Sequence, residues 1–332
     1  MLPDAFSPLL AYYLHDLSPF VVRFTEGFGL RWYGLGYLAG FVAAFLLVKG
    51  MAKKGVCAVP ENQVSEFIFW ACLLGVFVGG RVGSMLLYDF GNFLQNPLIV
   101  FKVWEGGMAS HGGIAGLMIY LFWYSHRHNI SWLGVGDMIC ATAPVGIFCV
   151  RCANFINGEL YGRPANVPWA VQFPAELLDN QELATRVFAK LQVFPATIHE
   201  MYGVLHQYIE QARTDPAAQE FLRGILTPRH PSQFYEAGLE GALLFAILFP
   251  LARSGKAPQG LVSGLFFVLY AIFRIVVEGF REPDASLIGP LTRGQFYSVF
   301  MIAIGLGFIV FALKRGRIAE TWVPGGKEKP SR

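Results

Sequence analysis

Tyr270, Arg274, Glu278 and Arg281 follow one another at spacings of four, four and three, inside an otherwise apolar run. In a helix these spacings place all of them along one stripe. A ladder of ion pairs would use Glu278 to neutralise one arginine and leave the other in surplus. The planar guanidinium offers two parallel donors, which suits a phosphate. The densest polar segment is Arg151-Cys-Ala-Asn154-Phe-Ile-Asn157-Gly-Glu159-Leu-Tyr-Gly162, at the end of another apolar run. Arg151 and Asn154, three apart, share a helix face, and Asn157-Gly158 suits a helix stop. A cap with a snorkelling arginine is the structural alternative, but it leaves so many hydrogen-bonding groups at one depth unexplained.

Three further clusters carry polar groups where they are costly. Arg81, within Gly79-Gly80-Arg81-Val82-Gly83, lies in an apolar run and needs a buried carboxylate or an anion. His111 sits among four glycines in Gly106-Gly107-Met108-Ala109-Ser110-His111-Gly112-Gly113, a composition that lets backbone approach a ligand or starts a helix irregularly. Its side chain titrates near neutrality and could take a proton at pH 7. Arg31-Trp32-Tyr33-Gly34 reads as an interfacial belt for Arg31 and Trp32, while the Tyr33 hydroxyl could face an interior site. Asp137 and Glu240 are the carboxylates available to pair the arginines.

The elements that must position these residues are membrane helices. Charged residues make up 15% of the chain and apolar types 54%, against about 25% charged in a soluble domain. That excludes a disordered chain, a nucleic-acid-binding domain and most cytosolic enzymes. With about 20 apolar residues needed per crossing, seven spans are expected, at 28–48, 64–88, 108–124, 133–150, 234–252, 260–280 and 295–313. The run from Pro97 to Trp104 is too short and is expected at the interface or dipping back. Lys49, Lys53, Lys54, Arg127, Arg253, Lys256, Lys314, Arg315 and Arg317 then fall on one side, which the positive-inside rule makes cytoplasmic. The N-terminus is outside, and no cleavable signal peptide is expected.

The expected division is an extracytoplasmic arm at 1–27, helices one to four at 28–154, an extracytoplasmic head at 155–232, helices five to seven at 233–313 and a cytoplasmic tail at 314–332. The head is charged, contains helix formers over Glu182 to Gln192 and is punctuated by prolines. Five cysteines, most within apolar runs, suit structural roles, including the Cys149-Val-Arg-Cys152 pair. Dispersed histidines and apolar cysteines give no metal site, and no cofactor is expected. A cationic cavity at membrane depth points instead to an anionic lipid headgroup.

The strings His111-Gly-Gly, Arg151-x-x-Asn154-Phe-Ile-Asn157-Gly-Glu159, His230-Pro-Ser-Gln233-Phe-Tyr235-Glu236 and Phe273-Arg274-x-x-x-Glu278-Gly-Phe-Arg281 resemble, in matching order, the bacterial phosphatidylglycerol–prolipoprotein diacylglyceryl transferase family. The resemblance runs from about Arg31 to Lys314 and implies seven transmembrane helices, as the charge pattern does independently. It implies transfer of diacylglyceryl from phosphatidylglycerol to a lipobox cysteine thiol of a prolipoprotein, with glycerol phosphate released. It also implies activity roles for Tyr33, His111, Asn154, Arg274 and Glu278, and phospholipid contact for Arg151. On this basis Arg151 and Arg274 are assigned to the phosphate, with Arg81, Tyr270 and Arg281 lining the lipid site, and His111 to thiol deprotonation. Partners are then phosphatidylglycerol, prolipoprotein signal peptides and the bilayer, with the chain a monomer in the bacterial inner membrane. Relative to the family, the chain carries an additional charged helical portion around Glu176 to Arg223. An organic-anion secondary transporter would use similar residues, but no paired halves with broken helices are visible.

Overall fold

The computed structural model describes residues 12–25, 29–102, 107–283 and 287–316. Most of the 1–27 arm is covered; Gly106, Trp104, Arg317 and most of the 314–332 tail lie outside the described residues. The elements are β1 (Tyr13–Leu14), β2 (Phe20–Arg23), β3 (Gly29–Arg31), α1 (Trp32–Lys53), α2 (Glu61–Leu87), α3 (Phe90–Gln95), α4 (Ser110–Arg127), α5 (Trp132–Asn157), β4 (Val171–Gln172), α6 (Glu176–Asp179), α7 (Gln181–Leu191), α8 (Ile198–Ala212), α9 (Pro216–Ile225), α10 (Ser232–Arg253), α11 (Leu261–Glu278) and α12 (Arg293–Arg315). The chain is an all-α polytopic membrane protein. Among the described residues six helices, α1, α2, α5, α10, α11 and α12, are long and apolar enough to cross a bilayer. The span expected at 108–124 forms α4, but Ser110, His111, His126 and Arg127 at its ends keep its apolar stretch short.

The contacts divide the chain into two compact units. The first contains residues up to 37, 148–240 and 272–298; the second contains 38–147, 241–271 and 299 onward.

In the second unit, small residues let helices meet backbone to backbone, which is how packing substitutes for the hydrophobic effect in a bilayer. A Cβ at Gly79 would come within 2.7 Å of the Gly112 carbonyl oxygen and 2.9 Å of the Gly116 Cα, so α2 and α4 pack on a glycine seam. Gly40 meets Gly146, and Gly264 meets Gly305, in the same way. Backbone carbonyls surround Arg81. Its guanidinium donates to the carbonyls of Ile99 at 2.5 Å, Lys102 at 2.9 Å, Val100 at 3.0 Å and Gly107 at 3.2 Å. Five donors on one planar group can satisfy several carbonyls at a chain reversal, and so Arg81 pins the turn after α3. That turn is the run expected at the interface, and its Leu98 and Phe101 side chains are exposed. Asp137 pairs with no arginine among the described residues. It accepts from Gly260 N, Ser263 N and Ser263 Oγ, each at 2.7 Å, and so caps the start of α11 from a neighbouring helix.

In the first unit, α7, α8 and α9 begin as their sequences prescribe. Asn180 accepts from the amides of Glu182 and Leu183. Thr197 Oγ1 caps α8 by accepting from Glu200 N, and Glu200 Oε2 reaches past the cap to accept from Ala196 N. Asp215 caps α9, with Pro216 at its first position. The apolar faces of these helices close over Leu177, Val187, Leu205 and Leu222. Strand β1 pairs in parallel with β4, Tyr13 opposite Val171, and so brings the N-terminal segment into this layer. Arg229 is held by Glu176 at 2.6 and 3.0 Å and by Glu282 at 2.9 Å, and lies over the Tyr161 ring.

His15, just after β1, is buried against the rings of Phe155 and Phe173. Burial, the largest effect, holds its pKa down from 6.5 to about 4, with Arg213 acting in the same direction and Asp16 opposing. Between those values the unfolded chain binds more protons than the folded one, so stability rises with pH. His15 therefore contributes fully above about pH 6.5, and on the order of 3 kcal/mol is lost as pH falls towards 4. Limited proteolysis within α7 to α9 should accelerate over this window in the wild type and much less in His15→Gln. An identical pH dependence in the two proteins would exclude His15 as the titrating group.

Candidate active site

Three sequence segments are tied together to make the site. Helix α5 ends at Asn157, where Gly158 turns left-handed at φ +71° and the Glu159 amide returns to the Asn154 carbonyl at 3.1 Å. Glycine adopts that conformation without a Cβ penalty, which is why the stop falls there. The reversal brings the Glu159 carboxylate back to Asn154 Nδ2 at 2.6 Å and Asn157 Nδ2 at 3.3 Å. The start of α10 then clamps the returning strand: Ser232 Oγ donates to the Leu160 carbonyl at 2.9 Å and Gln233 Nε2 to the Glu159 carbonyl at 2.6 Å. Gly162 slots between the carbonyls of His230 and Phe280, either of which a Cβ would meet within 2.6 Å. Arg163 N donates to Phe280 O at 2.8 Å, and Arg163 Nε to Arg281 O at 2.9 Å.

The clamp holds Glu236 where three arginines converge. Arg151 Nε approaches Glu236 Oε2 at 2.6 Å, while Arg274 Nη1 at 3.0 Å and Arg281 Nη1 at 2.5 Å share Oε1. Arg274 Nη2 reaches one turn onward to Glu278 at 3.0 Å. Helix α10 widens to a π-helix over Ala237–Leu243, and Glu240 falls near the same guanidinium groups, 3.7 Å from Arg151 and 3.9 Å from Arg274. Widened turns of this kind recur at functional sites. Two arginines against one carboxylate on α11 led to an expected positive surplus. Among the described residues, Glu236 and Glu240 from α10 join Glu278 against these guanidinium groups, so the charge is offset by more than the one carboxylate of α11.

The arginines are not equivalent. Arg281 has a side-chain exposure of 5% and is sealed over Glu236, whereas Arg151 and Arg274 keep 18% and 16%. Arg151 also donates to Asn154 Oδ1, at 3.5 Å. Tyr33, on α1, has its hydroxyl 3.4 Å from that of Tyr37 and lies within coulombic reach of Glu159 and Arg151. The expected residues Tyr33, Arg151, Asn154, Arg274, Glu278 and Arg281 thus belong to one unit. Arg81, His111 and Tyr270 belong to the other: His111 in the first turn of α4, Tyr270 one turn before Arg274 and stacked on Phe266 at 5.7 Å.

Glu236 and Glu159 were quoted only as parts of motifs. Glu236 is a fully buried carboxylate at the start of an apolar helix, and the cost of an ionisable group at such a place was a signal for it as much as for the arginines.

The sequence profile described as "Prolipoprotein diacylglyceryl transferase" matches residues 19–311. Among curated proteins, a phosphatidylglycerol–prolipoprotein diacylglyceryl transferase of Serratia proteamaculans is 41% identical over 290 residues, covering 86% of this chain and 90% of that protein. Proteins of the same description from Bdellovibrio bacteriovorus, 37% identical with 94% and 96% covered, and Photorhabdus laumondii, 42% identical with 86% and 89% covered, are similarly related.

Proposed function

Because the chain belongs to the prolipoprotein diacylglyceryl transferase family, we infer that it transfers the diacylglyceryl group of phosphatidylglycerol to the lipobox cysteine of prolipoproteins. The observation that carries the reading at residue level is the convergence of Arg151, Arg274 and Arg281 on Glu236. In the reaction a carbon–sulfur bond forms as the carbon–oxygen bond to the phosphate breaks. Glycerol phosphate leaves with the electron pair, and the thiol gives up its proton. The site must therefore supply thiolate and stabilise charge growing on the leaving phosphate.

Arg151 and Arg274 are proposed to meet that charge. Each is fixed by Glu236, so little reorganisation is needed when charge develops. Arg281, Glu278 and Asn154 orient them, and Tyr33 borders the same cluster. For Arg81 the lipid-binding role rests on an arginine placed in an apolar span and for Tyr270 on its place one turn before Arg274, and the carbonyl contacts of Arg81 add a positioning role. His111 is proposed to take the thiol proton, also on resemblance.

Seven spans, with α4 as the third, an exterior N-terminus and a cytoplasmic C-terminus are proposed from the lysine and arginine distribution. With them go the division into arm, helices, head and tail, an active site towards the extracytoplasmic side, a monomeric state and a multi-pass place in the bacterial inner membrane.

Incubation of the purified chain with phosphatidylglycerol and a lipobox peptide should give a thioether-linked diacylglyceryl peptide and an equal amount of glycerol phosphate. An unmodified peptide, or acyl transfer without glycerol phosphate, would overturn the reading.

A further inference from the structure

The second unit contains an open groove of about 820 Å³, walled by the turn between α4 and α5 and by the last turns of α12. This is within the range of small-molecule sites. Trp132, Phe308 and Phe311 give it an apolar face, with the rings of Trp132 and Phe308 6.2 Å apart. At its polar end stand Asn129, Ser131 and Arg315, and among the described residues no carboxylate lines it. Arg315 lies against the Phe311 ring, 5.7 Å from its centroid, so its charge is held at the apolar boundary. Helix α12 is the least buried of the six apolar helices. The groove therefore opens on an exposed apolar helix, beside the basic residues Lys314 and Arg315 of its last turn.

We propose that this groove binds an anionic phospholipid, its phosphate at Arg315 and Asn129 and an acyl chain along Trp132, Phe308 and Phe311. Basic pockets beside membrane helices take anionic headgroups through this combination of charge and apolar wall. The chain's own tail is a poor occupant. Beyond Gly316 it carries Arg317, Lys327, Lys329 and Arg332 against Glu320 and Glu328, so it repeats the sign of Arg315. The site is independent of the transfer chemistry, since none of its residues belongs to the arginine cluster.

The test places the full chain in phosphatidylcholine nanodiscs containing acyl-brominated phosphatidic acid or, for comparison, acyl-brominated phosphatidylcholine. Phosphatidic acid presents the phosphate without the glycerol headgroup. Quenching of Trp132 is read as the difference between the wild type and Trp132→Phe. Phosphatidic acid should reach half-maximal quenching at a mole fraction about fivefold lower than phosphatidylcholine. Arg315→Gln should abolish that advantage and Asn129→Ala should reduce it, whereas Lys314→Gln should retain most of it. Equal quenching by the two lipids overturns the proposal, as does an equal loss in Lys314→Gln, which would mean diffuse attraction. Absence of quenching by either lipid would show the groove covered by the tail or a second copy, and would also overturn it.

Discussion

Arg274→Lys is expected to lower the rate of thioether formation about a hundredfold although the positive charge is kept. The guanidinium of Arg274 spans two carboxylates, Nη1 on Glu236 and Nη2 on Glu278, both at 3.0 Å. An ammonium is a point charge on a flexible stem and cannot hold both positions while presenting a further donor to phosphate. Loss of one preorganised donor to developing charge raises a barrier by about 3 kcal/mol. The change should fall on kcat more than on KM, because charge on the leaving phosphate is greatest in the transition state. Arg151→Lys should behave similarly, since Arg151 also meets Glu236 with one edge, at 2.6 Å, and keeps part of its side chain exposed. Near-normal transfer by Arg274→Lys, with its thermal stability unchanged, would remove Arg274 from the mechanism.

The helical stripe of Tyr270, Arg274 and Glu278 on α11 was legible because residues at helical spacing in an apolar run admit few other arrangements, whereas Arg281 falls in the turn just past the helix end. Their partners were harder to read. Glu236 and Glu240 sit on α10 at a widened turn, and the pairing crosses between helices distant in sequence, where no periodicity reports it. Arg81 was harder to read for a related reason: an arginine in an apolar run asks for an anion, and four backbone carbonyls at a chain reversal also take its donors. Backbone acceptors leave no mark in the residue types. Asp137 likewise satisfies itself on the amides of another helix, which its own sequence neighbourhood does not announce. Where a residue's partners were local, as in the stop at Asn157-Gly158, the sequence sufficed.

The largest combined effect is expected from Glu236→Gln, a change of nearly the same shape. The wild-type carboxylate compensates Arg151, Arg274 and Arg281 at 2.6, 3.0 and 2.5 Å. A neutral amide there leaves Arg281, the most buried of the three, without its carboxylate at Glu236. Breaking one side of a buried ion pair costs about 3 to 5 kcal/mol, so thermal stability in detergent should fall sharply and transfer should drop below detection. Glu240→Gln should be milder, because its contacts to the same arginines are 3.7 and 3.9 Å. To separate a lost fold from lost chemistry, Arg281→Met can be added to Glu236→Gln. Removing the Arg281 charge should restore part of the stability, a coupling that a double-mutant cycle reads directly. Transfer should stay low, because Arg151 and Arg274 still lack the carboxylate that aims them. Full activity in Glu236→Gln, or recovery of transfer along with stability in the double variant, would show that Glu236 only balances charge and does not set the geometry of the phosphate-facing arginines.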